Sequence, residues 1–118
     1  MQRQHRLSRS RDFDAVYRNG RSVSTRYLTL HWFPREDDPD GEPRLGLAVP
    51  KTVSASAVVR NTLKRQLRSS WGELRERTRP GLDYVLVVRR GAVEPYEARG
   101  HGWLVEQVAE VLERVPST

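Results

Sequence analysis

The segment from Ser56 to Thr78 constrains this chain most, because it contains no proline and can form one long helix. At about 100° per residue its apolar side chains fall within one arc roughly 120° wide; they are Val59, Leu63, Leu67, Trp71 and Leu74. The cations and one amide are assigned to the remaining side; they are Arg60, Asn61, Lys64, Arg65, Arg68 and Arg75. The pattern therefore predicts a helix with one face in the core and one cationic face.

The cationic face of this helix favours a polyanionic partner. Like charges four residues apart repel by a few tenths of a kcal/mol, so helix stability does not explain Arg60, Lys64 and Arg68. Most runs of charge are solvated surfaces, but those usually mix the two signs. No acidic residue lies between Val49 and Ser70. A polyanion-binding face is therefore the better interpretation.

Length and composition agree with a nucleic-acid partner. The chain has 118 residues and a net charge of +6, with a pI near 10.5, which fits a single basic domain, residues 1–118. Only Lys51 and Lys64 among the basic residues are lysines. Arginine contacts phosphates through two nitrogens and stacks on bases, which suits RNA, although a genome-wide bias toward arginine would give the same composition.

The chain shows no sign of secretion or membrane insertion. It has no cysteine, so it has neither disulfides nor a thiolate metal site. It also has no apolar run of about 18 residues, and its basic start lacks the apolar region of a signal peptide. We therefore expect a soluble, cytoplasmic protein.

The predicted elements are a helix, two or three strands, a second helix, a strand and a last helix, which is the order α-β-β-β-α-β-α when three strands precede the second helix; this is an α+β fold with helices packed on a sheet. Residues 1–9 form a basic arm that is expected to stay mobile until a partner orders it. The other predicted elements are a helix from Ser8 or Ser10 to Gly20, strands in the regions Tyr27–Phe33, Leu45–Val49 and Asp83–Arg89, the basic helix, and a last helix from about Tyr96 to Val115. The apolar run after Asp83 predicts a central strand buried on both faces, whereas the order of the strands stays open.

No pattern in the sequence indicates catalytic chemistry in the polypeptide. His5, His31 and His101 share no motif with one another, with a metal site or with a nucleophile. The acidic loop after Pro34 fits neither a calcium-binding loop nor a pair of catalytic carboxylates. We therefore expect no catalytic residue and no metal site in this chain.

The motif Arg-Asn-x-x-Lys-Arg-x-x-Arg, from Arg60 to Arg68, follows the strand Arg44–Lys51 in a way that closely resembles the bacterial ribonuclease P protein component. The resemblance covers about residues 5 to 90, and its other elements are Arg6-Leu7, Asp12-Phe13, Gly20 and residues 83–87. One departure concerns the end of the strand, where the family often has two adjacent lysines and then a glycine. Here a single Lys51 is followed by Thr-Val-Ser.

The resemblance implies both a fold and an activity. The fold would be a four-stranded sheet with a left-handed β-α-β crossover through the basic helix, against the general preference for right-handed crossovers. The activity would be that of a ribonucleoprotein endoribonuclease in which a catalytic RNA removes the 5′ leader of precursor tRNA. Mg²⁺ would be held mainly by that RNA, with none bound by the protein alone. The partners would be the catalytic RNA and precursor tRNA, with no role for DNA or a membrane.

The resemblance also implies two groups of binding residues. Contacts with the catalytic RNA are expected from Arg60, Asn61, Lys64, Arg65, Arg68, Lys51 and Arg44. The cleft for the single-stranded leader is expected to contain Phe13, Tyr17, His31 and Arg9. The spacing of Phe13, Val16 and Tyr17 is more typical of the core face of a helix, and both roles hold together if one edge of each ring faces the cleft. A ribosomal or RNA-chaperone protein is the main alternative function, because the basic helix and the high pI fit it as well.

Overall fold

The structure is a computed structural model that describes residues 20–35 and 38–116. Its strands are β1 (Arg21–Ser24), β2 (Leu28–Pro34), β3 (Arg44–Ala48) and β4 (Leu82–Val88). Its helices are α1 (Ala57–Glu73), α2 (Val93–Arg99) and α3 (His101–Glu113), with a short 3-10 helix at Arg75–Arg77. The three strands predicted from the sequence agree with β2, β3 and β4 to within one residue at each end. The predicted first helix and the basic arm lie outside the described residues.

The four strands form one mixed sheet in the order β1-β2-β4-β3. β2 pairs antiparallel with both β1 and β4, whereas β3 and β4 are parallel neighbours. Because α1 connects those two parallel strands, the basic helix is the crossover of a β-α-β unit. The predicted α+β class and four-stranded sheet are thereby confirmed, and the left hand of the crossover stays a prediction.

The main core lies between one face of the sheet and the helices. Alternate residues of β2 point into it, as the two-residue period of a strand requires, and they are Leu28, Leu30 and Trp32. The helices α1 and α3 contribute the opposing layer; its members are Leu63, Leu67, Trp71, Trp103, Leu104, Val108, Val111 and Leu112. A smaller cluster on the opposite face of the sheet consists of buried Val85 with Phe33 and Val87. The apolar stripe predicted for the basic helix is therefore its core face, and β4 is buried on both sides.

Helix α1 begins where the sequence predicts and ends earlier. Its N-cap is Ser56, whose Oγ accepts a hydrogen bond from the Val59 N–H at 3.3 Å. Thr78 Oγ1 donates to the carbonyl of Arg75 (2.6 Å), and the Arg79 N–H donates to Tyr84 Oη (3.1 Å). The first of these contacts is local and the second reaches a side chain of β4; together they turn the chain toward that strand, so the prediction of one helix extending to Thr78 was wrong.

The last helix of the prediction is two helices. Gly100 separates them, with φ 78° and ψ −160°, a conformation that glycine adopts at little cost. The break starts α3 at His101, whose ring lies against α1. There Nδ1 is 2.8 Å from Gln66 Oε1 and Nε2 is 2.5 Å from Glu73 Oε2. The prediction of one helix from about Tyr96 to Val115 was therefore wrong at its N-terminal end, where Gly100 separates α2 from α3.

Candidate nucleic-acid interface

The outward side of α1 presents four polar side chains, which we call the basic face: Asn61, Lys64, Arg65 and Arg68. They lie within about 100° of one another on the helix surface. Asn61 and Arg65 are exposed, whereas Lys64 and Arg68 are half-buried. Within residues 20–35 and 38–116, no carboxylate forms an ion pair with Lys64 or Arg65. Their charge is therefore accessible to an external anion.

Arg60 lies on a different side of α1 from the one assigned to it by the sequence pattern. It is about 40° from the centre of the apolar arc on the helix surface, and its side chain is half-buried. Its Nη1 donates to the carbonyl oxygens of Ser54 and Ala55, both at 2.9 Å. The structure thus corrects the placement of Arg60 on the outward cationic side, and its contact with RNA stays a prediction.

Arg44 and Lys51, at opposite ends of the β3 region, differ in environment. Lys51 is exposed in the connection between β3 and α1, residues 49–56. Arg44 is the first residue of β3, and its Nε and Nη2 donate to Asp83 Oδ1 and Oδ2 at 2.8 and 2.7 Å. Asp83 is only 5% exposed, and Arg35 Nε lies 3.7 Å from its Oδ1. Arg44 therefore joins β3 to β4, and the prediction that it contacts RNA remains untested.

The sheet face opposite the helices carries His31. Strand register places His31 between Ser22 on β1 and Val85 on β4. Phe33 and Val87, both partly exposed, pack against the buried Val85 on this face. Such an apolar floor with one imidazole suits an unpaired nucleotide bound without base-specific recognition. The other residues predicted for the leader cleft, Arg9, Phe13 and Tyr17, lie outside the described residues.

The pH dependence of stability provides a test of the environment of His31. Burial lowers the pKa of His31 from its ordinary value of 6.5. A lowered folded-state pKa gives stability that is present above the unfolded value and is lost as pH falls through the folded value. We expect the free energy of unfolding to fall as the pH decreases through 6.5 and then through the lower folded-state pKa of His31, and to fall less in His31→Leu. Urea unfolding of both proteins measures this, and an equal decrease in the two would contradict it.

A further group of cations, not singled out from the sequence, lies at the same end of the sheet as Lys51. Arg26, Arg89 and Arg90 are exposed there, after β1 and after β4. The Arg89 Nη1 donates to the Thr25 carbonyl at 2.7 Å, and the Arg26 guanidinium lies 5.4 Å from the centre of the Tyr27 ring. A cavity of about 460 Å³ opens between Arg26, Tyr27 and Arg90. The Arg-Arg pair directly after an apolar strand was the signal that could have found this group.

The described part of the chain has neither a candidate metal site nor a membrane-spanning helix. Residues 20–35 and 38–116 contain no group of three or more histidine, aspartate or glutamate side chains that could hold a metal ion. Over the same ranges, no helix combines the length and the hydropathy that crossing a bilayer requires.

The chain is similar in sequence to known ribonuclease P proteins. The family model for Ribonuclease P matches residues 1–114. The ribonuclease P protein component of Synechococcus elongatus is 41% identical over 88 residues, covering 74% of this chain and 72% of that protein. The corresponding protein of Shouchella clausii is 38% identical over 92 residues, covering 78% and 73% of the two chains.

Two solved structures have a similar fold. The RNase P protein from Thermotoga maritima superposes with a TM-score of 0.82 at 26% identity, covering 95% of this chain and 98% of that one. The RNase P protein of Staphylococcus aureus has a TM-score of 0.79 at 23% identity, covering 92% and 93%, and this second similarity concerns the fold alone.

Proposed function

This chain belongs to the ribonuclease P protein family, and from that premise we propose that it acts with a catalytic RNA that carries the cleavage chemistry. The chain is an RNA-binding component of ribonuclease P and takes part in tRNA processing. In the proposal, the substrate is precursor tRNA and the reaction is endonucleolytic removal of the 5′ leader. The RNA subunit holds most of the Mg²⁺ that the reaction needs, and the assembly works in the cytoplasm.

The observation that carries the proposal is the basic face on a helix whose other side is fixed in the core. Leu63 and Leu67 are fully buried against the sheet, so α1 cannot rotate about its axis without exposing them. Lys64 and Arg65 are thereby held outward at fixed spacing, which lets them meet the phosphates of a structured RNA at close range. Asn61 lies among them and can both donate to and accept from a base edge or a 2′-hydroxyl.

For the leader we propose the sheet face that carries His31 and Phe33. Leader sequences vary among precursor tRNAs, so the protein needs stacking and charge rather than base-specific hydrogen bonds. The partly exposed Phe33 ring and the Val87 side chain supply apolar contact area. His31, whose pKa is lowered by burial, supplies a neutral imidazole. In this proposal Phe13, Tyr17 and Arg9 complete the cleft.

The charge of the protein explains why such a subunit would help a catalytic RNA. Two large RNAs repel each other through their phosphates, and Mg²⁺ reduces that repulsion. A protein that neutralises phosphates with lysine and arginine releases counterions and replaces part of the Mg²⁺. The net charge of +6 and the concentration of cations on α1 and beside β4 fit that role.

Reconstituted cleavage of precursor tRNA tests the proposed function. We expect the purified protein alone to leave precursor tRNA intact, and the protein with the catalytic RNA to lower the Mg²⁺ concentration required for half-maximal cleavage. The control is the catalytic RNA alone at each Mg²⁺ concentration, together with a Lys64→Ala/Arg65→Ala protein. Cleavage by a nuclease-free preparation of the protein without RNA would contradict the assignment of the chemistry. If the Lys64→Ala/Arg65→Ala protein lowered the required Mg²⁺ concentration as much as the parent protein does, the role of the basic face would be contradicted.

A ribosomal or RNA-chaperone function is not favoured, because the family model and the curated relatives are those of ribonuclease P. Isolating the protein from cells and sequencing the RNA bound to it separates the two functions. Recovery of one abundant structured RNA with precursor tRNA is the result expected from the proposal. Recovery of ribosomal RNA as the main species would support the alternative.

A further inference from the structure

A cation in the first turn of α1 requires an explanation. The N-terminus of a helix carries a partial positive charge, so an arginine there is unfavourable unless negative partners surround it. Arg60 is the fourth residue of α1, and the first turn contains no acidic residue. The carbonyl oxygens of Ser54 and Ala55 are the partners that the structure provides, each 2.9 Å from Nη1.

These two bonds belong to a series that runs through the β3–α1 connection. The Val53 N–H donates to the Pro50 carbonyl at 2.9 Å and closes a turn that contains Lys51. The Ser56 N–H donates to Ser54 Oγ at 3.2 Å. Arg60 then joins the same Ser54 to the helix, through its backbone carbonyl. Arg60 is thus a side chain of α1 that bonds directly to the segment between Lys51 and the helix, beside Val53, which packs against the core.

We infer that Arg60 is a positioning residue, which holds the β3–α1 connection so that Lys51 keeps a fixed distance from the cations of the basic face. The inference rests on the proposed function, because a fixed spacing matters only if Lys51 and the basic face bind one RNA. It differs from a phosphate contact by Arg60 itself in a measurable way. A positioning residue acts through Lys51, whereas a phosphate contact acts independently of it.

Amide hydrogen exchange of the protein without RNA tests whether Arg60 holds the β3–α1 connection in place. In Arg60→Gln, the Val53 and Ser56 amides are expected to exchange several-fold faster than in the parent, because the connection loses two of its hydrogen bonds to α1. Arg65→Gln is the matched control: it removes the same charge from an exposed position of the same helix and should leave both amides unchanged. Equal exchange in Arg60→Gln and the parent would overturn the inference.

A double-mutant cycle, measured as affinity for the catalytic RNA, tests whether Arg60 acts through Lys51. Lys51→Ala is expected to weaken binding roughly tenfold or more and to flatten the slope of log K against log salt by about 0.7 to 0.9. If Arg60 acts by positioning Lys51, adding Arg60→Gln to Lys51→Ala should cause no further loss beyond about twofold. In the control cycle, the losses from Lys51→Ala and Arg65→Gln should multiply, because those cations act independently.

The remaining outcomes separate this inference from the proposed function. Multiplying losses for Arg60→Gln and Lys51→Ala would show that Arg60 is a phosphate contact and would overturn the inference. An unchanged affinity in Lys51→Ala would also overturn it, while Arg65→Gln would still test RNA binding by the basic face on its own.

Arg60→Lys is the second variant, and it covers the case in which Arg60→Gln does not fold. Both hydrogen bonds come from one nitrogen, Nη1, so a single ammonium can replace them. We therefore expect parental exchange and parental affinity in Arg60→Lys. A contact that depends on the planar fork of arginine would be lost in that variant, and such a loss would count against positioning.

Discussion

Replacing Trp71 with alanine is expected to destabilise the domain by about 3–5 kcal/mol, the usual cost of removing a buried tryptophan from a core. Trp71 is 1% exposed and lies where α1 packs on the sheet. Its ring meets Tyr84 edge to face, with centroids 5.0 Å apart and planes at 64°. Tyr84 belongs to the central strand β4, so the pair joins the basic helix to the middle of the sheet. Losing it removes both the buried area and this aromatic contact.

Urea unfolding followed by circular dichroism measures the effect of Trp71→Ala. Val58→Ala is the matched control, because Val58 lies on the same helix with 76% of its surface exposed, and its change should stay within about 0.5 kcal/mol. The affinity of the folded fraction for RNA should change little, since Trp71 is buried and is not one of the side chains that can contact RNA. A destabilisation below about 1 kcal/mol would show that α1 does not depend on this contact.

Removing Lys64 and Arg65 together is expected to weaken binding of the catalytic RNA by roughly 1.5–3 kcal/mol for each cation that contacts a phosphate. The slope of log K against log salt should flatten by about 1.4 to 1.8, at about 0.7 to 0.9 per cation. The melting temperature should stay the same or rise slightly, because Lys64 lies four residues from both Arg60 and Arg68 and repels them. A salt titration of binding, beside a thermal melt, separates the two effects.

Two single variants serve as controls for the basic face. Asn61→Ala should lower affinity and leave the salt slope unchanged, because an amide displaces no counterion. Arg68→Ala should lower both affinity and melting temperature, since Arg68 is half-buried and its Nε is inaccessible to solvent. If the Lys64→Ala/Arg65→Ala protein kept the parental affinity and the parental slope of log K against log salt, this side of α1 would be an ordinary charged surface that does not bind the RNA.

The local patterns of the sequence were enough to predict most of the elements. The apolar residues of α1 repeat with the helical period, and the alternation in β2 and the continuous apolar run in β4 are typical of a half-buried and a central strand. The ends of β2 and β4 were predicted to within one residue because Pro34 and Pro80-Gly81 mark turns in the sequence itself. The family resemblance rested on a nine-residue motif, so it too could be read without coordinates.

Only the tertiary structure decided which residues of the candidate interface lie together. Arg44 and Asp83 are 39 residues apart in sequence, and they meet because β3 and β4 are parallel neighbours, a pairing that no local pattern encodes. Arg60 belongs to the motif, yet its guanidinium binds two carbonyls of the preceding connection rather than facing outward. Residue type and spacing determined that α1 is a cationic helix with a buried face, because both follow from a fixed rotation per residue. Which of its cations remain accessible to RNA depended on how the chain before and after the helix folds back on it.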